Sequence, residues 1–434
     1  MSAASKPTAH WVSPLPPAET DIAHYTARIL PELADRCDLT LWTDAASWSR
    51  DLEAYCEVRR LDPDHIRPSE FARAGRTPDG PDAVFIHIGN SRVFHSGLIR
   101  LARRIPSIIV LHDLAIQEML FESIINNQLS KEVYVSEMAR WYGPRGQLLA
   151  TGVLNGEIRP SELAEEMPGF EIALDRAAAV MVHTPAAYDA VAKKGGLPVY
   201  LLDLPFRPSL VAPPAQRALD GPLRLMQFGY IGANRRLMQV LEALAPLRDE
   251  IPFKFDIMGN VWDPPLLTRR IAELGLTERV KIHGFVAEEK LDAQLAAAHL
   301  VFNLRHPTMG EASGSQLRIW NASAAAVVTD SGWYGSLPDE AVFKVPLDRE
   351  EFALQDLMRR IAADRNLCAR IGSAGRARFE ARHSPERYAD GVAWVASRTA
   401  PDAAAAMKAR IARGVLGRSR AARDLVVEIL VKRC

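Results

Sequence analysis

The sequence predicts an α/β protein built from two doubly wound units. Three observations carry that expectation: short apolar runs alternate with amphipathic stretches, a proline-rich break falls near the middle, and the alternation restarts beyond it. At roughly 150–200 residues per domain, a chain of 434 residues also points to two domains. Hydrophobic residues make up 48% and charged residues 24%, ample for two sizeable cores.

In the first half, His10–Ser13, Asp38–Trp42, Ala83–Ile88, Ile108–Leu111, Ala179–His183 and Val199–Leu202 read as buried strands. Most are near-continuous apolar runs without strict alternation, as parallel strands covered on both faces require. Between them, Ile22, Tyr25, Ile29 and Leu33 recur at steps of three, four and four, on one helical face. From Pro205 to Pro222 five prolines interrupt any periodicity, so 206–222 reads as a linker after a first domain of 1–205. The second unit, 223–384, carries strands at Leu223–Phe228, Phe253–Met258, Val280–His283, Leu300–Leu304, Ala325–Thr329 and Ala341–Val345. Leu237, Val240, Leu241, Leu244 and Leu247 mark its first helix. The tail 401–434 is rich in Ala, Arg and Lys, with eight Lys/Arg against three Asp/Glu. It reads either as a basic helix able to lie on anionic lipid or as a solvated terminal helix packed on its own domain.

Several classes are excluded. The chain balances 53 Lys+Arg against 53 Asp+Glu, so nucleic-acid binding through bulk charge is not expected. Met1–Pro17 shows no basic segment followed by an apolar run, and no stretch approaches a membrane span, so a cytoplasmic protein is expected. Cys37, Cys56, Cys368 and Cys434 are scattered, which argues against a disulfide framework or structural zinc. Ser13–Glu19 contains no GxGxxG, disfavouring a nicotinamide dehydrogenase, and no P-loop or HExxH occurs.

In open parallel sheets, ligands bind beyond the carboxyl ends of the strands. After Phe228 comes Gly229-Tyr230-Ile231-Gly232-Ala233-Asn234-Arg235-Arg236, where glycines permit a tight turn and Asn234 is expected to cap the next helix. Arg235 and Arg236 then fall in that helix's first turn, where an anion would offset the dipole penalty; the plain alternative is that both bend into water. After Leu304, the small-residue run through Gly310, Glu311, Ser313, Gly314 and Ser315 opens a helix with backbone N–H groups available to a phosphate. Glu311 could orient sugar hydroxyls, although acids are favoured near helix starts anyway. In the first unit, His112-Asp113 ends a strand, His87, Asn90 and His95 cluster at another, and Asp21 lies in the loop after the first. Each histidine is equally readable as a satisfied hydrogen-bond partner.

Together the stretches Pro14–Tyr25, Ile86–His95, Val110–Leu114, Phe228–Leu237, Val280–Val286 and Arg305–Ser315 resemble those of the bacterial family-4 glycosyltransferases, retaining enzymes of the GT-B fold. The resemblance runs from about His10 to Ser397. It implies two Rossmann-like domains facing across a cleft, donor nucleotide held mostly by the second, and a final helix, 385–400, crossing back to the first. By the same resemblance, Arg235 stands at the usual lysine for the donor diphosphate, with Arg236 next to it. His112 matches the histidine near the transferred sugar, and Glu311 the first acid of a paired-glutamate motif. Phe285 and Val286 match the loop that meets the nucleobase, and Asp21, Asn90 and His95 fall on the acceptor side. No metal or other cofactor is implied. Two positions depart from the pattern: Ile319 replaces the second glutamate, and Asp21 stands where a glycine is common.

The expectation is therefore a glycosyltransferase moving sugar from a nucleotide-sugar donor to a glycan or lipid-linked acceptor, in cell-surface polysaccharide synthesis. A GT-B nucleotide-sugar epimerase, or a non-catalytic nucleotide-binding scaffold, are the rival readings.

Overall fold

The computed structural model describes residues 6–71, 82–209 and 217–399. The basic tail and its suggested membrane contact lie outside these residues. The chain separates into two compact units. The first comprises the chain up to Asp203, the tripeptide Met309–Glu311 and the stretch from Pro385; the second is Leu204–Thr308 with Ala312–Ser384.

The first unit contains β1 (Thr8–Val12), α1 (Asp21–Arg36), β2 (Asp38–Thr43), β3 (Glu57–Arg60), β4 (Ala83–Ile88), α2 (Arg92–Ala102), β5 (Ser107–Leu111), α3 (Gln117–Ile125), α4 (Lys131–Leu154), β6 (Ala177–Val182), α5 (Pro185–Ala192) and β7 (Val199–Leu201). Its sheet is entirely parallel, in the order β3-β2-β1-β4-β5-β6-β7. β1, β4, β5 and β6 are buried along their whole length, which is why they read as near-continuous apolar runs, interrupted at His10 in β1 and His87 in β4. β3 was missing from the sequence reading for a physical reason: Glu-Val-Arg-Arg is a solvated edge strand with no apolar run. The four residues spaced along one face of α1 are all buried.

The second unit contains β8 (Leu223–Phe228), α6 (Leu237–Leu244), β9 (Phe253–Met258), α7 (Pro264–Glu273), β10 (Val280–Gly284), α8 (Glu288–Ala297), β11 (Leu300–Phe302), α9 (Gly314–Asn321), β12 (Ala325–Thr329), α10 (Gly332–Gly335), β13 (Phe343–Val345), α11 (Glu350–Ala363) and α12 (Asn366–Arg382). Its parallel order is β10-β9-β8-β11-β12-β13. Leu223 and Leu225 join one apolar layer with α6 and α11; Met226 and Phe228 join the other with α9. That two-sided burial is what a doubly wound sheet requires of its central strand.

Some boundaries differ from those expected. β11 stops at Phe302, although the Asn303 backbone N–H still donates to Val327 O at 2.9 Å and its side-chain amide donates to Gln316 at 2.9 Å. β13 starts at Phe343, since Ala341 is held in a turn by the Pro338 carbonyl. The linker has no helix or strand in its described parts, yet both ends are tied to the second unit. Phe206 is buried in its apolar layer, and the Arg217 guanidinium donates to the carbonyls of Ala322 and Ser323 beyond α9. A helix over 385–399 packs within the first unit: Tyr388 hydroxyl bonds Tyr25 hydroxyl, and Arg36 pairs with Asp390 at 2.8 Å.

Candidate functional site

In both sheets the strand order reverses about the first strand, between β1 and β4 and between β8 and β11. Loops leaving adjacent strands in opposite directions open a crevice there, the usual place for a ligand in such folds. The residues singled out from the sequence follow those strands and their neighbours.

In the second unit, Gly229 leaves β8 with φ +102° and Gly259 leaves β9 with φ +119°. Their backbones are so close that a Cβ on Gly259 would lie 2.0 Å from the Gly229 carbonyl oxygen. Only glycine satisfies both the dihedral and the approach. Beyond them the loops stay paired, with Ile231 N–H donating to Asn260 O at 2.8 Å. Three exposed aromatic side chains follow these neighbouring strands: Tyr230, Trp262 and Phe285, after β8, β9 and β10, are 74%, 57% and 81% exposed. Val286 beside Phe285 is partly buried against the second unit's apolar layer.

The next residues correct the sequence reading. Asn234 does not cap α6, and the arginines do not lie in its first turn. Ala233–Arg235 form a separate 3-10 turn, and α6 begins at Leu237 after Arg236, which has φ +57°. The break arises because the turn is anchored from both sides: Gln227 donates to Arg235 O at 2.8 Å, and His306 N–H donates to Asn234 O at 2.8 Å. Arg235 is 3% exposed, and its guanidinium donates to the Phe228 carbonyl at 3.0 Å. Arg236 turns away into an ion pair with the buried carboxylate of Glu350, Nη2 and Nε both donating to Oε2 at 2.6 and 3.0 Å. Hydrogen bonds between two charged groups are stronger than neutral ones, so the pair holds the arginine in place.

α9 starts after Ser313, whose hydroxyl accepts from Gln316 N–H at 3.1 Å. Gly314, with open space around it, and the half-exposed Ser315 are the first two residues of the helix, where N–H groups have no intrahelical acceptor. Ile319 points inward from the same helix and is fully buried among Leu317, Trp320, Met226 and Phe228. Apolar packing thus occupies the position where the resemblance leads one to expect a second carboxylate.

Met309–Glu311 packs with the first unit. Leu114 and Ala115 N–H donate to Met309 O at 2.7 and 2.9 Å, and the Thr184 hydroxyl donates to Gly310 O at 3.3 Å. Gly310 has φ +78°, and Glu311 accepts the Met309 N–H at 2.7 Å, closing the turn on itself.

The carboxyl end of the first sheet holds an unusual concentration of imidazole. His87 lies on β4, His112 directly after β5 and His183 directly after β6; His95 lies on α2. His87, His95 and His183 are buried, and His112 is partly exposed. Ring centroids separate His112 from Tyr25, His183 and His87 by 5.0, 5.0 and 5.1 Å. Burial pushes all four below the ordinary histidine value, His95 and His183 to about 4. For His87 and His112, mutual repulsion with the neighbouring rings adds to desolvation. The cluster is therefore neutral at physiological pH. Among the described residues, no group of three or more His, Cys, Asp or Glu side chains is arranged to hold a metal ion.

Of the other candidates, Asn90 acts as a brace. Its side chain accepts from Met119 N–H in α3 at 3.0 Å and donates to Glu118 at 3.0 Å. Asp21 is exposed at the first position of α1, not in a loop, and His95 binds the His87 carbonyl at 3.1 Å. The sequence reading assigned no role to Tyr25, His183, Glu350 or Tyr388. One signal for the histidines was present: three successive strands end in Ile86-His87-Ile88, Leu111-His112-Asp113 and Val182-His183-Thr184. Nothing local marks Glu350 as the partner of Arg236, 114 residues away.

The two parallel α/β units define a GT-B type architecture, which solved structures share. Sucrose-phosphate synthase from Thermosynechococcus elongatus aligns over 90% of this chain and 98% of its own, at 15% identity and TM-score 0.59. HepE from Anabaena in complex with UDP aligns over 90% and 99%, at 15% identity and TM-score 0.57. WaaG, a glycosyltransferase involved in lipopolysaccharide biosynthesis, aligns over 88% and 98%, at 14% identity and TM-score 0.51. At such identities the likeness is one of fold. In sequence, residues 235–392 match the family described as Glycosyl transferase-like, a segment that contains Arg235, Arg236, Glu311 and all of α9. No curated protein sequence matches the chain. No described helix is long and apolar enough to cross a membrane.

Proposed function

We propose that this protein transfers a sugar from a nucleotide-sugar donor to a hydroxyl of a glycan or lipid-linked acceptor, with retention at the anomeric carbon and without a metal ion. The observation that carries the reading is the glycosyl transferase-like match over 235–392, which takes in the loop after β11 and the start of α9 together with Arg235 and Arg236 at the end of the loop after β8. HepE, solved with UDP and with UDP-glucose, makes UDP-sugars the first donors to test.

In this reading, departure of the nucleoside diphosphate develops negative charge on its oxygens. Arg235 and the N–H groups at the start of α9 stabilise that charge, the helix dipole adding to the backbone donors. Arg236 braces the loop through Glu350. Phe285, Trp262 and Tyr230 offer flat apolar faces to the nucleobase. Neutral His112 and Glu311 orient sugar hydroxyls, and the acceptor attacks from the face the diphosphate leaves. Synthesis of cell-surface polysaccharide in the cytoplasm, at the inner face of the membrane, is the setting this chemistry fits.

The test is transfer or donor hydrolysis across UDP-, GDP- and dTDP-sugars, with calorimetry of the corresponding diphosphates. Uptake of none of them overturns the reading. Arg235→Ala is expected to lower turnover about a hundredfold or more, with Arg235→Lys retaining part of it. A melting curve for each variant separates lost charge from lost folding, and unchanged turnover removes the diphosphate role.

A further inference from the structure

His112 is the only one of the four clustered histidines that is not fully buried, so it is the one able to meet a ligand. What it can offer depends on which ring nitrogen carries its proton. The surrounding hydrogen bonds settle that.

A carbonyl oxygen can only accept. His183 Nδ1 lies 3.0 Å from the Leu202 carbonyl, and His95 Nδ1 lies 3.1 Å from the His87 carbonyl, so both rings carry their proton on Nδ1. The contact between His87 Nδ1 and His112 Nε2, at 2.8 Å, holds one proton, since burial keeps both rings neutral. If His112 donated, His87 would carry its proton on Nε2, a buried atom with no protein acceptor in reach. If His87 donates, that same Nε2 is a bare lone pair beside the Trp11 ring, 4.3 Å away between centroids. A buried N–H without an acceptor is the rarer and costlier defect. The second arrangement therefore prevails, and His112 carries its proton on Nδ1.

We propose that His87 is a positioning residue: by donating from Nδ1 to His112 Nε2 it locks His112 in the Nδ1–H form, leaving His112 a hydrogen-bond donor and not an acceptor at its free nitrogen. The other rings against His112 are Tyr25, which meets it edge-on, and His183, which is tilted to it, and neither hydrogen-bonds that nitrogen. A donor fixed in this way matches a sugar hydroxyl oxygen or a developing oxyanion, and does not match a group whose proton must be removed. The lock rests on this geometry and on both rings being neutral; its consequence for turnover rests on the glycosyl-transfer reading.

The experiment is a long-range proton–nitrogen correlation spectrum of the full chain, labelled with ¹⁵N-histidine and recorded near pH 7.5. His112→Gln assigns the His112 signals. The expected pattern for His112 is the Nδ1–H tautomer, opposite to the Nε2–H preference of a free histidine side chain in water. In His87→Leu it should move towards the Nε2–H form, with kcat reduced at least about tenfold and KM within about twofold. His87→Asn, with an amide N–H near the position of Nδ1, should restore the Nδ1–H pattern and most of kcat. An Nε2–H signal for His112 in the unaltered protein overturns the proposal, as does a tautomer unchanged in His87→Leu. If that variant does not fold, the unaltered protein and His87→Asn still decide it. Absence of turnover with every donor would sink the glycosyl-transfer reading and leave the spectroscopic result standing.

Discussion

The carboxyl ends of the two sheets use opposite chemistry on the same topology. In the first, four imidazoles and two phenols are packed together, all but His112 buried, and burial holds the histidines neutral. In the second, glycine backbone, three exposed aromatic side chains and a helix start present flat apolar faces and positively polarised N–H groups, while Arg235 is buried and Arg236 is paired with Glu350. The first arrangement suits neutral, directional hydrogen bonds, because desolvation penalises charge there. The second suits an anion with a flat apolar attachment. A nucleotide sugar contains both kinds of group, and that correspondence is what the proposed function draws on.

The comparison can be broken most severely at the second sheet. Gly259→Ala would drive a Cβ into the Gly229 carbonyl at a positive φ, and is expected to destabilise the second unit by more than about 3 kcal/mol. Gly284→Ala, also at positive φ but with open space around it, should cost about 1–2 kcal/mol. Urea unfolding measures both, and equal losses would show that the loop approach is not what constrains Gly259.

Acid sharpens the contrast from the other side. A histidine depressed in the folded state contributes no pH dependence well above 6.5; below it, the unfolded chain takes the proton first and stability falls. His95 and His183, at about 4, should each withdraw roughly 3 kcal/mol by pH 4, with His87 and His112 adding to the loss. Hydrogen exchange at pH 7.5 and pH 5 should therefore show β4, β5 and β6 losing more protection than β8, β11 and β12. Equal losses in the two sheets would contradict it.

The smallest effect concerns Arg236. Truncation to Ala strands the buried Glu350 carboxylate, at an expected cost of about 2–3 kcal/mol, while Arg236→Ala with Glu350→Ala should recover most of that. If Arg236 is a brace, nucleotide affinity in the double variant should stay within about threefold of the unaltered protein. A loss of a hundredfold would make it a ligand.

The strands of both sheets were legible because a parallel strand covered on two sides is apolar at nearly every position, as Ala83–Ile88 is apart from His87 and Ala325–Thr329 apart from its last residue. Edge strand β3, solvated on both faces, carries no such mark. Gly229, Gly310 and the start of α9 were legible because backbone constraints leave residue-level traces in glycine and serine. The role of Asn234 was misread for the converse reason: the turn holding it is imposed by Gln227 and His306, from other parts of the chain.

Local chain chemistry was enough to dictate two wound α/β units and to bring particular loops to the ends of particular strands, because periodicity and backbone preference act over a few residues. Which guanidinium is tied to a carboxylate, which position of α9 faces the apolar layer, and which nitrogen of His112 bears the proton were settled only by folding. Those outcomes depend on partners distant in sequence and on exclusion of water, and neither exists until the elements have packed.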